Sequence, residues 1–538
     1  MTRLKLRPGC HFAPVPQGLH CSFRDTAFVV RGPAAALFDA LDRRLGPLTD
    51  GAAPADLADG PSGPLLAKLL PVLTERGLLF DPDAAGGPPP TDPRHEEIVA
   101  HLEEHAEQPY ALYHRLRRTT AAVTGTGPAA DAATRSLARL AVGTAAPPDG
   151  SAEVTVRVLA DHSSPADDSS PGAVLPVSCG PRHAVVGPVL DDPARIADFR
   201  AAVRRVAGWL AVLPQGPAPM PVGAVLAGAL AARRVVDRIT GLAPVDGALV
   251  VHGPTAEVTA VALPDRTAAT GWQPLDPDEP PGDTDPAVLT EPWRGLGHWP
   301  DAAGPEHRRP VAAVTLHPVL PAGAAPLTGW GEDATAARRH ALLALLRRHA
   351  DGARAEPDAA RAEPDGAGAA DPVEQPCAGT TPAHATLDGL LRALTPRTQE
   401  SPGRALPPSA LEHPTARALH SALADYHGHR FDLTVHRLGD GSWHLAAART
   451  PDGDPLAVEW GPSPASAAYA VLGTLFTART TGGTHPVTGT WCVEHLTPPA
   501  LTRSLHALLA EHRVTLRRLP ADPVLGPLPW TCARLRLH

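Results

Sequence analysis

The sequence predicts a multidomain protein in which an α/β domain lies between two α+β regions. The chain has 538 residues, which exceeds the size of one hydrophobic core and favours three to four domains. A Pro-, Gly- and Asp-rich joint at 82–93 separates a segment of short strands and helices from one with the order strand, glycine loop, helix. We predict domains at 1–85, 94–265 and 286–538, with a flexible insert at 351–386 inside the third.

The first 85 residues predict a small module of the winged-helix type. Three alternating segments, Cys10–Val15, Leu19–Phe23 and Thr26–Arg31, are separated by turn residues and predict a meander. Two helices follow with apolar residues on one face: Leu37, Phe38, Leu41 and Leu45 before Gly46-Pro47, then Leu65, Leu66, Leu69, Leu70 and Leu73 before Gly77. Pro71 predicts a kink or a split in the second helix, and Leu78–Phe80 predicts a closing strand.

This module, with its closing segment "RGLLF", resembles the leader-recognition element of enzymes that mature ribosomally made peptides. In that family the leader of the precursor adds as an extra strand and packs against the third helix. The resemblance implies a leader-binding set of Thr26, Ala27, Phe28, Val29, Val30, Arg31, Leu65, Leu69, Val72 and Arg76. A winged-helix DNA-binding domain is the alternative, but the module has too few basic residues for a recognition face.

Composition limits the functional classes. The formal net charge of −9 disfavours a nucleic-acid surface over the whole protein. Lysine occurs only at positions 5 and 68, so a GxxxxGK phosphate loop is excluded. The sequence contains neither a signal peptide nor an apolar run long enough to span a membrane, and we expect a cytoplasmic protein. Six scattered cysteines without a CxxC pair fit a reducing compartment and exclude a four-thiolate zinc site.

The middle segment predicts an α/β domain that does not bind a nucleotide. A strand ending at Val123 runs into Gly125–Ala130, a GxGxxA loop before a helix. Pro128 removes one backbone N–H from that loop, Ala130 replaces the third glycine, and the acidic residue Asp161 comes late.

The order of the elements between about residues 97 and 265 carries a second resemblance. A "VGP" strand, an Ala-rich helix over Val222–Ile239 and a hairpin over 247–264 resemble the ThiF-like fold of azoline-forming peptide cyclodehydratases. In that family a ThiF-like partner fused to a leader-recognition element delivers the substrate. The lysine and paired cysteines of the catalytic adenylating members are missing here, which implies a degenerate domain.

Two stretches of similar sequence occur in the C-terminal segment, at Gly329–His349 and at Glu459–Arg479. Each has a strand end, a WG-containing turn and a helix, and both resemble the YcaO fold, the ATP-using partner that cyclises Cys, Ser or Thr side chains onto the backbone. In that family, glutamates on these helices hold magnesium and nucleotide. Neither 335–349 nor 465–479 contains Asp or Glu, which implies a divergent domain without phosphoryl transfer. The insert at 351–386 repeats "ARAEPD" and lacks large apolar residues, so we expect a mobile loop.

Several catalytic-looking patterns are better explained as structural. His101–His105 forms an HxxEH, but a solvated helix face in a chain with 26 histidines explains it. Cys179 is a candidate nucleophile that we expect to be a packed thiol. Trp330 and Trp530 are expected to be core or interface anchors. We therefore predict no catalytic residue, no cofactor and no metal.

These resemblances imply a noncatalytic scaffold in the biosynthesis of thiazole- or oxazole-containing peptides such as thiopeptides. It would bind the precursor leader and present the core to a separate YcaO-type cyclodehydratase, with no nucleic-acid or membrane partner. Tethering raises the effective concentration of the core at that enzyme. The alternatives left open are an FMN-dependent azoline dehydrogenase, a divergent ATP-dependent cyclodehydratase, a DNA-binding regulator, and a homodimeric form of the scaffold.

Overall fold

The computed structural model describes residues 3–44, 51–59, 61–144, 152–159, 172–192, 195–213, 222–253, 255–263, 272–282, 284–300, 310–353, 374–439, 443–481 and 488–538. The expectations for Leu45, Gly46-Pro47, Asp161 and the central part of the insert, 354–373, lie outside these residues. The chain divides into two compact units, which we describe separately: unit 1 comprises 1–199 and 217–262, and unit 2 comprises 200–216 and 263–538. No helix among the described residues is long and apolar enough to cross a membrane.

The N-terminal module of unit 1 contains the predicted strands and the two predicted helices, together with a short first strand and a short middle helix that were not predicted. Its strands are β1 (Lys5–Leu6), β2 (His11–Val15), β3 (Gly18–Phe23), β4 (Thr26–Arg31) and β5 (Leu79–Phe80), and its helices are α1 (Ala34–Arg44), α2 (Pro54–Ala58) and α3 (Gly63–Glu75). An antiparallel sheet has the order β2-β3-β4, and β5 pairs with β1. The predicted split of α3 is wrong, because Pro71 lies on the exposed face of one continuous helix, where water can solvate the carbonyl left without its N–H partner.

The rest of unit 1 is a sheet covered by helices. The helices are α4 (Glu96–His105), α5 (Pro109–Arg118), α6 (Pro128–Arg139) and α8 (Val222–Thr240), and the strands are β6 (Thr120–Thr124), β7 (Gly143–Thr144), β8 (Val154–Leu159), β9 (Ala173–Cys179), β10 (His183–Val186), β11 (Ala248–His252) and β12 (Glu257–Val261). The sheet order is β12-β11-β10-β9-β8-β6-β7, parallel from β7 to β9 and antiparallel beyond. Small residues bring α6 and α8 together, since a Cβ on Gly228 would lie 2.2 Å from the Ala129 carbonyl oxygen.

The helix α7 (Ile196–Val212) corrects the predicted boundary at 94–265. Residues 200–216 belong to unit 2 rather than to the α/β domain. Trp209 Nε1 donates to the Gly295 carbonyl at 3.0 Å, and Arg205 Nη2 donates to Asp522 Oδ2 at 2.8 Å. Both side chains of the Arg205–Asp522 ion pair are buried, so this helix is anchored by contacts far away in sequence.

Unit 2 contains several sheets packed against long helices, and all of their described strand pairs are antiparallel except one, Pro455–Gly461 with Thr488–Gly489. Its strands are β13 (Gln273–Pro274), β14 (Gly297–His298), β15 (Ala312–Pro318), β16 (Leu327–Gly331), β17 (Glu374–Gly379), β18 (Arg404–Ala405), β19 (Asp432–Arg437), β20 (His444–Arg449), β21 (Pro455–Gly461), β22 (Thr488–Gly489), β23 (Val514–Arg518), β24 (Ala521–Asp522), β25 (Gly526–Pro527) and β26 (Thr531–Leu537). Its further helices are α9 (Ala334–Gly352), α10 (Pro382–Gln399), α11 (Pro414–Ser421), α12 (Pro464–Thr481) and α13 (Pro498–Glu511). The sheets have the orders β14-β15-β16, β13-β23-β26-β17, β18-β19-β20-β21-β22 and β24-β25.

Three strand–turn–helix elements, rather than the two seen in the sequence, build the centre of unit 2. The third is β17 with α10, and it shares its spacing with β16–α9 and β21–α12. In each, a strand ends at a glycine, a capping side chain follows two residues later, and a buried alanine lies six residues after the glycine: Gly331, Asp333 and Ala337; Gly379, Thr381 and Ala385; Gly461, Ser463 and Ala467. Each cap accepts a hydrogen bond from the backbone N–H three residues on, at 2.8 to 3.1 Å.

This third element corrects the predicted extent of the flexible insert. Residues 374–379 form strand β17, which pairs along its whole length with β26, and the buried helix α10 begins at Pro382. The segment is ordered because Cys377 and Ala378 are fully buried in the sheet. Strand β17 consists mostly of small and polar residues, so its sequence lacks the run of large apolar side chains that is typical of a buried strand.

Candidate functional site

The strand β4 is an open edge of the N-terminal sheet. It pairs with β3 on one side, and among the described residues no strand pairs with its other side. Its residues alternate: Thr26, Phe28 and Val30 are half-buried, whereas Ala27, Val29 and Arg31 are exposed. Val29 is 43% exposed, one of five large apolar side chains that are exposed among the described residues. An edge of this kind offers backbone N–H and C=O groups to an added strand.

The helix α3 meets β4 at one end of that edge. The Arg76 guanidinium lies over the Phe28 ring, 5.6 Å from its centroid. Leu65 and Val72 are half-buried, and Leu65 packs against the same apolar core as Phe28 and Val30 of β4. Leu69 is 1% exposed and packs in the core of the module, so the expectation that it contacts a peptide is corrected. Leu69 lies on the inward side of the apolar stripe, and the one-face spacing of the leucines could not distinguish a core face from a binding face.

A cleft of about 320 Å³ opens where β4 begins and α3 ends. It is lined by Arg7, Phe23, Arg24, Thr26, Arg76, Gly77, His105, Ala106 and Glu107. Arg7 Nη1 donates to the Ala106 carbonyl at 2.8 Å and also to the Glu103 carbonyl, while Arg24 Nη2 donates to the Glu104 carbonyl. Burial and the neighbouring Arg24 charge lower the pKa of Arg7. The cleft is therefore cationic and lies beside the predicted peptide edge.

A second concentration of polar groups lies in the interior of unit 2. Asp388 on α10 accepts hydrogen bonds from Arg347 Nε and Arg392 Nε at 2.9 Å each, from the Ala378 N–H at 3.1 Å, and from Thr490 Oγ1. All of these groups are in the interior, and the Asp388 side chain is fully buried. Burial opposes ionisation, but the two guanidiniums hold the pKa of Asp388 well below its usual range.

Two more buried carboxyl groups complete this centre. Glu459 accepts from Thr474 Oγ1 at 2.7 Å and from the Trp491 N–H at 3.1 Å, and burial raises its pKa. Glu494 has Arg339 Nε at 3.8 Å, and neither of its oxygens has a hydrogen-bond partner among the described residues. Burial raises the pKa of Glu494 to about 8.

Asp388 lies in a closed ion network, and Glu459 is also engaged by protein donors. A divalent cation such as Mg²⁺ needs free carboxylate oxygens. Here Asp388 accepts from two guanidiniums, and Glu459 accepts from a hydroxyl and an amide. Glu494 lies 3.8 Å from Arg339 and accepts no hydrogen bond among the described residues. Among the described residues no group of three or more His, Cys, Asp or Glu side chains could hold a metal ion.

This centre was not predicted from the sequence, because Asp388 belongs to the third strand–turn–helix element. The segment "GTTPAHATLD" from Gly379 to Asp388 has the glycine, cap and alanine spacing of the other two elements, and that spacing would have located it. Trp330, expected to be a core anchor, is fully buried. Its Nε1 donates to Thr474 Oγ1 at 2.9 Å, which in turn donates to Glu459.

The other sequence candidates have structural explanations. In the HxxEH segment the rings of His101 and His105 lie 4.3 Å apart, but Arg233 Nη2 lies 2.7 Å from His101 Nε2. Burial and the Arg233 charge lower the pKa of His101 to about 4, and a guanidinium at this nitrogen occupies the position of a metal. Burial raises the pKa of Cys179 to about 11, the opposite of an activated thiol.

The GxGxxA loop connects β6 to α6 as expected. Gly125 and Gly127 both have positive φ, at 100° and 97°. A Cβ on Gly125 would lie 2.4 Å from the Val158 carbonyl oxygen, so this glycine is required for packing against the next strand. The loop has a structural explanation that does not require a nucleotide.

Comparison with known proteins places the fold. Neither a family model nor a curated protein matches the sequence. Among solved structures, a heterocyclase in complex with substrate and cofactor matches over 100% of this chain and 95% of its own, with a TM-score of 0.57 and 12% identity. The heterocyclase TruD matches over 100% and 94%, with a TM-score of 0.52 and 12% identity. MccB of E. coli covers 48% of this chain and 94% of its own, at a TM-score of 0.31 and 10% identity. The chain therefore has the fold of the two heterocyclases along its whole length.

Proposed function

We propose that the protein binds the leader of a ribosomally made precursor peptide and presents the core of that peptide to a separate YcaO-type cyclodehydratase. The observation that carries this proposal is the open edge of β4, whose outward side chains Ala27, Val29 and Arg31 are exposed beside the end of α3. An extended peptide that adds to such an edge gains backbone hydrogen bonds along its length, and alternate side chains supply selectivity.

The shared fold supports a role in azoline formation on peptides. Two solved structures that match the whole chain are heterocyclases, and one of them is a complex with substrate and cofactor. A precursor peptide is the substrate class that fits an open strand edge on such a fold. Because the edge binds mainly through backbone groups, one leader segment can position cores of different sequence.

The interior of unit 2 supports a partner role rather than catalysis by this chain. Phosphoryl transfer requires carboxylates that hold magnesium on the nucleotide phosphates. The helix segments 335–349 and 465–479 contain no Asp or Glu, and Asp388 on the third helix is already saturated by Arg347 and Arg392. The chain would then act by tethering, which makes each encounter between the core and the enzyme intramolecular.

Fluorescence polarisation with a labelled leader peptide, encoded beside the gene, tests the binding role. We expect micromolar or tighter binding by the wild type and at least ~10-fold weaker binding by Val29→Asp, a loss of about 1.4 kcal/mol. The matched control is Val258→Asp, since Val258 is 39% exposed on β12, an edge strand of the seven-stranded sheet of unit 1. Circular dichroism confirms that both variants are folded. Absence of binding by the wild type, or equal binding by Val29→Asp, would refute the proposal.

A divergent ATP-dependent cyclodehydratase is the second candidate, favoured by the likeness to heterocyclases. The chain is incubated alone with precursor and ATP, and phosphate release and the mass of the peptide are measured. A mass loss of one water (about 18 Da) per ring, dependent on ATP and absent in Asp388→Asn, would favour the enzyme. An unchanged precursor that becomes cyclised only when a YcaO-type enzyme is added favours the partner role.

A further inference from the structure

The cleft between the start of β4 and the end of α3 carries an excess of positive charge, and contacts within the fold explain only part of it. Three arginines line it, Arg7, Arg24 and Arg76, against one carboxylate, Glu107. Among the described residues, no carboxylate lies within ion-pair distance of any of these three guanidiniums.

Two of these arginines have a structural explanation. Arg7 and Arg24 donate to carbonyls at the C-terminal end of α4, those of Glu103, Glu104 and Ala106. Cations at this position satisfy orphan carbonyls and interact favourably with the helix dipole. Each guanidinium has five N–H donors, and its hydrogen bonds to the α4 carbonyls use only some of them.

Arg76 takes no part in this helix cap. It lies just beyond α3, is exposed, and stacks on the Phe28 ring at 5.6 Å. Phe28 belongs to β4, so this contact holds the guanidinium beside the strand edge to which the peptide would add. Capping of α4 therefore explains why Arg7 and Arg24 lie in the cleft, but it does not explain why Arg76 lies there.

We infer that this cleft, named here the arginine cleft, recognises a side-chain carboxylate of the bound peptide, an Asp or Glu located just past the segment that pairs with β4. The inference rests on the proposed function, because it requires a peptide strand on that edge. A strand that continues beyond Thr26 runs along the residues of the cleft. Arg76 would bind the carboxylate through its planar fork, and Arg7 and Arg24 would add attraction in a half-enclosed space.

In this arrangement, the strand edge and the arginine cleft make different contributions to peptide binding. Backbone pairing with β4 supplies affinity for any extended segment and little discrimination. A carboxylate at one defined position fixes the register, because a shift by one residue would move it to the opposite face of the added strand. The cleft therefore sets both the register and the class of leader.

A double-mutant cycle by fluorescence polarisation tests this inference. Each Asp and Glu of the leader is replaced singly by Asn or Gln, and every peptide is titrated against the wild type and Arg76→Gln. We expect one acidic position whose replacement weakens binding by at least ~10-fold to the wild type but by less than ~2-fold to Arg76→Gln. The matched control is Arg43→Gln on α1 of the same module, whose side chain is 74% exposed. It should bind every peptide like the wild type.

The outcomes separate this inference from the proposed function. If Val29→Asp abolishes binding while every acidic replacement and Arg76→Gln bind normally, the leader site stands and the arginine cleft has no role in recognition. If Arg76→Gln weakens all peptides equally, Arg76 makes a contact other than with a carboxylate, and the inference is wrong. If the wild type binds no leader at all, the proposed function fails first. Raising the salt concentration should weaken wild-type binding more than binding by Arg76→Gln.

Discussion

Replacement of Asp388 tests the closed ion network of unit 2. In Asp388→Ala the guanidiniums of Arg347 and Arg392 stay buried and lose their shared carboxylate, and the Ala378 N–H loses its acceptor. Breaking a buried ion pair by removing one partner costs about 3–5 kcal/mol, because an uncompensated charge is left in the interior. With a urea m-value of about 3 kcal/mol/M, the midpoint of unfolding should fall by about 1 to 1.7 M.

Tryptophan fluorescence isolates this effect, since all nine tryptophans belong to unit 2. Asp388→Asn separates charge from volume: it keeps the shape and an acceptor for Ala378, so a loss close to that of Asp388→Ala identifies charge as the cause. Asp278→Ala is the control, because that side chain is 73% exposed and its removal should cost less than about 0.5 kcal/mol. A loss below about 1 kcal/mol in Asp388→Ala would refute the reasoning.

Three further predictions concern other buried groups. Burial raises the pKa of Glu494 from 4.5 to about 8, so between these pH values the folded state keeps a proton that the unfolded state has lost. The free energy of unfolding of unit 2 should therefore fall as pH rises through this range, by at most about 1.4 kcal/mol per pH unit. Glu494→Gln should remove this pH dependence in urea titrations from pH 5 to 9. Gly473→Ala should destabilise unit 2 by about 1–3 kcal/mol, because its Cβ would lie 2.3 Å from the Trp330 ring. Gly352→Ala is the control, since its Cβ would meet open space, and it should be neutral or stabilising in the same assay. Equal effects of the two substitutions would contradict the close packing of Gly473 against Trp330. Cys179, whose pKa burial raises to about 11, should react with iodoacetamide at pH 8 far more slowly than an unfolded control, and rapid labelling in the native state would reveal an accessible thiolate.

The local elements of the N-terminal module follow from its sequence. Alternating side chains and turn residues located β4 at Thr26–Arg31, and the leucine spacing located the helix that became α3. These features depend on neighbours within a few residues, which is why sequence patterns record them. The same spacing could not show that Leu69 faces the core, because its burial depends on the strands that cover that helix face.

The arginine cleft shows the same division between local and tertiary information. The sequence alone suggested Arg76 only as part of a resemblance. Its position over Phe28, and its neighbours Arg7 and Arg24, come from segments up to about 70 residues apart. The end of α4 holds Arg7 and Arg24, and Phe28 holds Arg76. These contacts exist only in the folded chain, since repulsion between like charges disfavours such a group in a flexible chain.

The sequence by itself determined the main strands and helices of the N-terminal module, the strand–glycine–cap–helix spacing in two places, and the absence of acidic residues from 335–349 and 465–479. The tertiary structure alone decided that β17 and α10 repeat this spacing, that residues 200–216 pack in unit 2, and that Asp388 lies between Arg347 and Arg392. Local propensity and periodicity are short-range properties of the chain. Buried ion pairs join residues that are distant in sequence, and only the folded chain excludes enough water to make their pairing obligatory.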